Sequence, residues 1–245
     1  MTKRIRMAVG LILAVILPAC AVPSTRLPVS NTQAPATRIS VLPTQPEIPT
    51  IAPATTNGLF SDDFSVESSE LEIFSNEFGS AEIKDGNYVM HSSGELWKWG
   101  RSNSEFSDTV IEFDTTITKA PTNNNAASGV ICRMKTHENN TTDGYLFAIS
   151  GDGFYSIQRI TSSAMNPLVD WAESDVINQG NQENKVRATC NGSELKLEVN
   201  GELLATASAD AGGPQSGGIA FAAVSFETAE PVTEVHFDNL VVTKP

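Results

Sequence analysis

Glu112-Phe113-Asp114 comes closest to a catalytic pair of any short run in this sequence. Residues two apart on a β-strand point to the same face, so an extended Thr109–Thr118 sets both carboxylates side by side. Two carboxyl groups across a glycosidic bond are the machinery of sugar hydrolysis, with nucleophile and acid/base ~5–5.5 Å apart in the retaining form. Thr115, Thr116 and Ile117 follow on the strand, no further acid stands beside the pair, and it reads as ordinary solvent-facing acids. His91, His137 and His236 have no metal-ligand spacing, and there is no Gly-x-Ser-x-Gly elbow, His-Glu-x-x-His pair or phosphate-cradling glycine loop. The sequence thus names no catalytic residue, although a hydrolase built from scattered loop residues stays open.

Aromatic side chains offer a different chemistry, stacking on the C–H faces of sugars while amides and carboxylates read the hydroxyls. Trp97 and Trp99 share one face of a strand, opposite Leu96 and Lys98, and the alternation does not say which face meets solvent. Tyr145 and Tyr155 are further contact candidates. Trp171, in the polar run Asp170-Trp171-Ala172-Glu173-Ser174, reads as a loop residue and is the most distinctive of the five. For each, packing between sheets is the competing role.

The elements that would position these side chains are strands. Sixteen of the seventeen glycines lie at or beyond Gly58, punctuating short alternating runs rich in Val, Ile, Phe, Tyr and Thr. Strands are expected at Leu59–Phe64, Ser80–Ile83, Tyr88–His91, Glu95–Trp99, Thr109–Thr118, Ser128–Met134, Gly144–Ile149 and Phe154–Ile160. Five more are expected at Lys185–Thr189, Leu195–Asn200, Leu203–Ala207, Gly218–Val224 and Glu234–Val242. Asp85-Gly86, Gly151-Asp152-Gly153, Asn191-Gly192 and Asn200-Gly201 mark hairpins. No stretch holds a helical period, so residues 58–245 read as one all-β, two-sheet antiparallel sandwich.

The N-terminal fifth is of another kind. Lys3, Arg4 and Arg6 precede an apolar run, Met7–Leu17, too short to span a bilayer, as in an export signal over residues 1–19. Leu17-Pro18-Ala19-Cys20 resembles the bacterial lipobox, which implies cleavage before Cys20 and diacylglycerol on its sulfur; an ordinary signal peptide cut nearby is the alternative. Several acyl chains, palmitate among them, at roughly 0.8 kcal/mol per buried CH₂ would make a lasting membrane anchor. Residues 20–57 carry seven prolines and one acidic residue, a composition that cannot bury a core and reads as a disordered tether. Loss of the signal leaves 13 basic against 29 acidic residues, a charge of −16 that excludes nucleic acid as a partner. In an oxidising exterior the two remaining cysteines are an even pair. Alternation turns Cys132 toward the face of Val130 and Met134 and Cys190 toward that of Val186 and Ala188, both inward, so a disulfide is expected, with two buried thiols as the alternative.

Four segments carry a wider resemblance: Phe60-Ser61-Asp62-Asp63-Phe64, Asp143-Gly144-Tyr145-Leu146-Phe147 with Gly153–Ile157, the Leu195–Leu204 hairpin and the closing Val235–Val242. Together they resemble a concanavalin A-like lectin/glucanase domain of the group that includes laminin G-like and 3-keto-disaccharide hydrolase-type domains. The resemblance implies a jelly roll whose terminal strands pair with each other. That pairing would bring Asp62 or Asp63 near Asp238 or Asn239, oxygen ligands for a structural Ca²⁺, although Asp63 and Asp238 could equally be turn and edge polarity. Glucanases of this fold carry Glu-x-Asp-x-Glu or Glu-x-Asp-x-x-Glu, from which this chain departs at the last position. The expectation is an exported, lipid-anchored protein facing the cell exterior or periplasm, whose domain binds polysaccharide or envelope glycan without catalysis. A sugar hydrolase and a spacer or protein-interaction module are the alternatives.

Overall fold

The computed structural model describes residues 58–66, 69–230 and 232–245. Cys20, the signal and the tether lie outside the described residues. Fifteen strands follow in order: β1 (Gly58–Asp62), β2 (Phe74–Asn76), β3 (Gly79–Lys84), β4 (Asn87–Ser92), β5 (Lys98–Arg101), β6 (Thr109–Lys119), β7 (Ala126–Thr136) and β8 (Thr142–Ser150). They continue as β9 (Phe154–Thr161), β10 (Ala164–Glu173), β11 (Asn184–Asn191), β12 (Glu194–Val199), β13 (Glu202–Ser208), β14 (Gly218–Ser225) and β15 (Thr233–Thr243). Every ladder is antiparallel. One sheet of nine strands runs β13-β12-β11-β6-β15-β4-β3-β2 with β1 also on β15, and one of six runs β10-β9-β8-β7-β14-β5.

The expected pairing of the termini is present. β15 bends at a bulge between Asp238 and Val241, where Asn239 takes a φ of 52°. Its first half pairs with β4, Phe237 facing Tyr88, and its second half takes β1, Leu240 facing Asp62. One eleven-residue strand therefore serves three neighbours.

Alternation supplies the inner faces. Ile111 and Phe113 of β6, Val235 and Phe237 of β15, Tyr145 and Phe147 of β8, and Phe221 of β14 are buried between the sheets. Phe221 stacks on Phe237 with ring centroids 4.1 Å apart and planes 11° from parallel, and Phe113 meets its edge at 5.0 Å. Tyr88 fits beside them because position 100 is glycine: a Cβ there would lie 1.8 Å from the Tyr88 hydroxyl, which donates to the Glu72 carbonyl. Cys132 of β7 and Cys190 of β11 form the expected disulfide, joining the two sheets across a Cα separation of 6.8 Å. Beside it the buried Arg133 donates to the Ser107 and Gly192 carbonyls and, at 2.8 Å, to the Asp108 carboxylate.

A second apolar cluster, Ile131, Leu146, Ala148, Ile160, Ala220 and Ala222 among it, forms on the outer face of the six-stranded sheet, with Trp97, Trp99 and Met165 packed against it from the edges. Three strands differ from expectation. The short β2, which pairs with β3, is unforeseen. β5 begins at Lys98, and Glu95–Trp97 precede it. β10, unforeseen, is an edge strand broken by two bulges and containing Pro167, which an edge tolerates because one side of the strand needs no donor. Trp171 therefore sits on a strand and not in a loop.

The disulfide generates a direct expectation. Protein denatured without reductant will show no reactive thiol at Cys132 or Cys190, and a C132S/C190S double variant will lose roughly 2–4 kcal/mol in chemical unfolding at unchanged fold.

Candidate functional site

Sheet order gathers five strand ends at one place: the start of β7, the end of β8, the start of β9, the end of β10 and the exit of β14. There Asn125, Ser150, Asp152, Phe154, Trp171 and Phe226 line a hollow of about 330 Å³. Phe226 is held by its N–H, which donates to the Asn125 carbonyl, and its ring meets two others edge-on, Trp171 at 5.8 Å and Trp97 at 6.0 Å between centroids. Trp171 keeps 37% of its surface exposed. The polar side is fixed as firmly. The Ser150 hydroxyl donates to Asp152 and accepts from the Phe154 N–H, holding the tight turn between β8 and β9. Asn125 and Asn123 both donate to Glu227, and these bonds hold its carboxyl below the usual range. Rings with carboxylate and amide groups beside them are what a sugar ring needs: apolar C–H faces to stack and hydroxyls to bond.

The five aromatic candidates separate cleanly. Trp171 lines the hollow and Trp97 backs it. Trp99, paired with Ala222, is half-buried on the same outer face but outside the lining. Tyr145 is a correction, and Tyr155 is half-buried outside the lining. Tyr145 is fully buried between the sheets, where its hydroxyl donates to Asp210 at 2.9 Å; burial first and that bond second push its pKa up to about 12. Tyr155 packs against the same inner core. The Tyr145 ring has no face for a ligand. Phe226, Phe154, Asn125 and Asp152 escaped the sequence reading, because turn residues and a phenylalanine just past an apolar strand look like punctuation and core until the strand ends are brought together.

Glu112 and Asp114 lie on the other sheet, facing outward from β6. Asp114 is paired with Lys185 at 2.9 Å and accepts from the Asn239 amide, while Glu112 and Glu198 flank Arg187 at 3.8 and 3.3 Å. These acids sit opposite strand cations, which is a structural role. Of the calcium candidates, Asp62, Asp63 and Asn239 line one hollow where β1 meets β15. Asp63 accepts from the Ser65 N–H and hydroxyl, Asp238 from the Asn239 N–H, and among the described residues no three His, Cys, Asp or Glu side chains are arranged to hold a metal ion.

A family model described as the 3-keto-alpha-glucoside-1,2-lyase-like domain matches residues 60–243. The chain belongs to that family. No curated protein sequence matches it significantly. Among solved structures, the Bacillus licheniformis β-glucanase aligns with a TM-score of 0.56 at 14% identity, over 78% of this chain and 100% of its own. A Bacillus subtilis protein of unknown function with a galectin-like fold aligns at 0.58 and 9% identity, covering 77% and 96%. The carbohydrate-binding module CBM66 from Bacillus subtilis aligns at 0.48 and 15%, covering 71% and 92%. At such identities the first two show the fold alone: this lyase-like domain is a concanavalin A-like jelly roll.

The outer face of its nine-stranded sheet carries one further charged group. Glu234 of β15 accepts from Lys119, from the Thr118 hydroxyl at 2.8 Å and stands 3.0 Å from His236, with His91 at 3.7 Å. Burial raises its pKa, but the bonds from Lys119, Thr118 and His236 outweigh this and lower it from the usual 4.5 to about 2. A carboxyl depressed in the folded state contributes stability that is fully present above pH 4.5 and is lost as pH falls toward 2. The melting temperature of E234Q will therefore lie below that of the native protein at pH 7, and the gap will close between pH 4.5 and 2 in a thermal scan series; a gap independent of pH would contradict the assignment.

Proposed function

We propose that this lyase-like domain is the glycan-binding part of a surface-displayed lipoprotein, and that it holds carbohydrate or envelope glycan in the hollow of Phe154, Trp171 and Phe226 without cleaving it. The observation that carries the reading is the meeting of these rings with Asn125 and Asp152, from five strand ends, around one open cavity. Family membership and a jelly-roll fold shared with a glucanase agree with a carbohydrate ligand. Glu112 and Asp114, the acids nearest in pattern to a catalytic pair, face away from the hollow and are paired with Arg187 and Lys185, which supports binding over hydrolysis at those residues. Cys20 supplies the anchor in this proposal, and the proline-rich residues 21–57 hold the domain away from the membrane at up to ~3.1 Å per residue.

The competing reading is cleavage of a keto-sugar glycoside, which the family description favours and for which Asp152, the carboxylate in the hollow, is the available acid or base. Calorimetry and a glycan array on the full mature chain separate the two. Binding is expected, W171A is expected to weaken it at least tenfold with folding intact, and no reducing sugar is expected on long incubation with bound oligosaccharides. Product release abolished by D152N would replace binding with catalysis. Metabolic labelling with a palmitate analogue will mark the native protein and leave C20S unlabelled; equal labelling of both would remove the anchor.

A further inference from the structure

The same outer face ends, at the other tip of β14, in a second hollow of quite different chemistry. Arg101, Ser102, Asn103, Glu105, Met134, Lys135, Thr136, His137 and Gly218 line a cavity of about 220 Å³. Gly218 pairs with Met134, and Arg101 with Ala220, so this hollow lies at the start of β14, whereas Phe226 follows its end. Eight residues of strand at ~3.3 Å each place the two hollows roughly 26 Å apart on one face.

Cations are scarce in this chain, with 16 Lys and Arg against 29 Asp and Glu. Among the described residues six of them, Lys119, Arg133, Arg159, Lys185, Arg187 and Lys196, have a carboxylate within 4.0 Å. Lys84, Lys98, Arg101, Lys135 and Lys244 have none among the described residues, and of these Arg101 and Lys135 are both exposed and line the same cavity. Glu105 shares the lining without pairing with either, and His137 leans on Asp143 at 3.4 Å. Two exposed cations that line one cavity, neither with a carboxylate within 4.0 Å among the described residues, repel each other, an arrangement that an incoming anion relieves. The space for Arg101 also depends on the glycine: a Cβ at Gly218 would press to 3.2 Å on both its Cγ and the Ser102 hydroxyl.

We infer that this hollow is an anion-accepting subsite of the glycan site, in which Arg101 receives a sugar-borne carboxylate through its planar fork and Lys135 adds a second charge-assisted bond. The inference rests on the proposed glycan-binding reading and narrows the ligand to an acidic glycan, a uronate-containing chain with neutral stacking at the Trp171 end and its charge at the Arg101 end. A chain whose own charge is so negative needs such a local reversal to hold a polyanion.

The test is an array of neutral, uronate-containing and sulfated glycans probed with the full mature chain, followed by calorimetry with the best binder of each class at two salt concentrations. Uronate-containing glycans are expected to bind at least tenfold more tightly than neutral counterparts, with a preference that shrinks at high salt. R101Q/K135Q is expected to erase that preference and leave neutral binding unchanged, while W171A weakens both. Neutral glycans binding as tightly as acidic ones, or a uronate preference that survives in R101Q/K135Q, would overturn the subsite and leave the glycan reading standing. Preference for sulfated over carboxylated glycans would overturn the carboxylate assignment. No binding to any glycan would overturn the parent reading and the subsite with it.

Discussion

The stack of Phe221 on Phe237 is the contact from which the remainder of the molecule follows. It is where the six-stranded sheet meets the nine-stranded one, with Phe113, Tyr88 and Phe64 closing round it. Buried apolar area is the main favourable term in such a sandwich, at roughly 25 cal/mol per Å². Once odd-numbered Phe221 and Ala223 face inward, Ala220 and Ala222 must face out, because side chains alternate along a strand. That choice hands the outer face its tryptophans and its two end cavities. The disulfide from Cys132 to Cys190 and the Arg133 clamp pin the same pair of sheets at one side of the stack.

Against this frame the two faces of the sandwich divide the chemistry. The nine-stranded sheet turns outward a set of acids and bases that answer one another, Asp114 with Lys185, Glu198 with Arg187, Glu234 with Lys119 and two histidines. Their charges are spent on holding strands in register. The six-stranded sheet turns outward aliphatic and aromatic surface that ends in open hollows, where side chains keep unspent capacity: ring faces at Trp171 and Phe226, cations at Arg101 and Lys135. The proposed glycan site lies where ring faces and cations remain free to bond, on the smaller sheet.

The sequence disclosed the fold more fully than the site, for a physical reason. Period-two alternation is a local property, so thirteen strands and the inward cysteines could be read from runs of five to ten residues, while the pairing of Phe60–Asp62 with the last strand came only from the resemblance to concanavalin A-like domains. β10 escaped because an edge strand with Pro167 and two bulges has no clean alternation to read. The hollow escaped in part because it is made by non-local arithmetic: Asn125, Asp152, Trp171 and Phe226 come from four turns and strand ends across a hundred residues, and only sheet order makes them neighbours. Trp97 and Trp171 were visible as large rings in polar surroundings. Tyr145 shows the limit of that signal, since its ring is buried between the sheets and its hydroxyl is satisfied by the exposed Asp210, and no residue near it in sequence says so.

The central claim is that the aromatic end of the six-stranded sheet is where a glycan sits. The three tryptophan side chains give it the most direct test, since each indole N–H yields one resolvable signal in a proton–nitrogen NMR spectrum of the mature chain. Titration with a glycan that binds is expected to shift Trp171 most and Trp97 next. A bound glycan that left Trp171 unmoved, while backbone signals of Glu112, Asp114 and Arg187 shifted on the opposite sheet, would contradict the account.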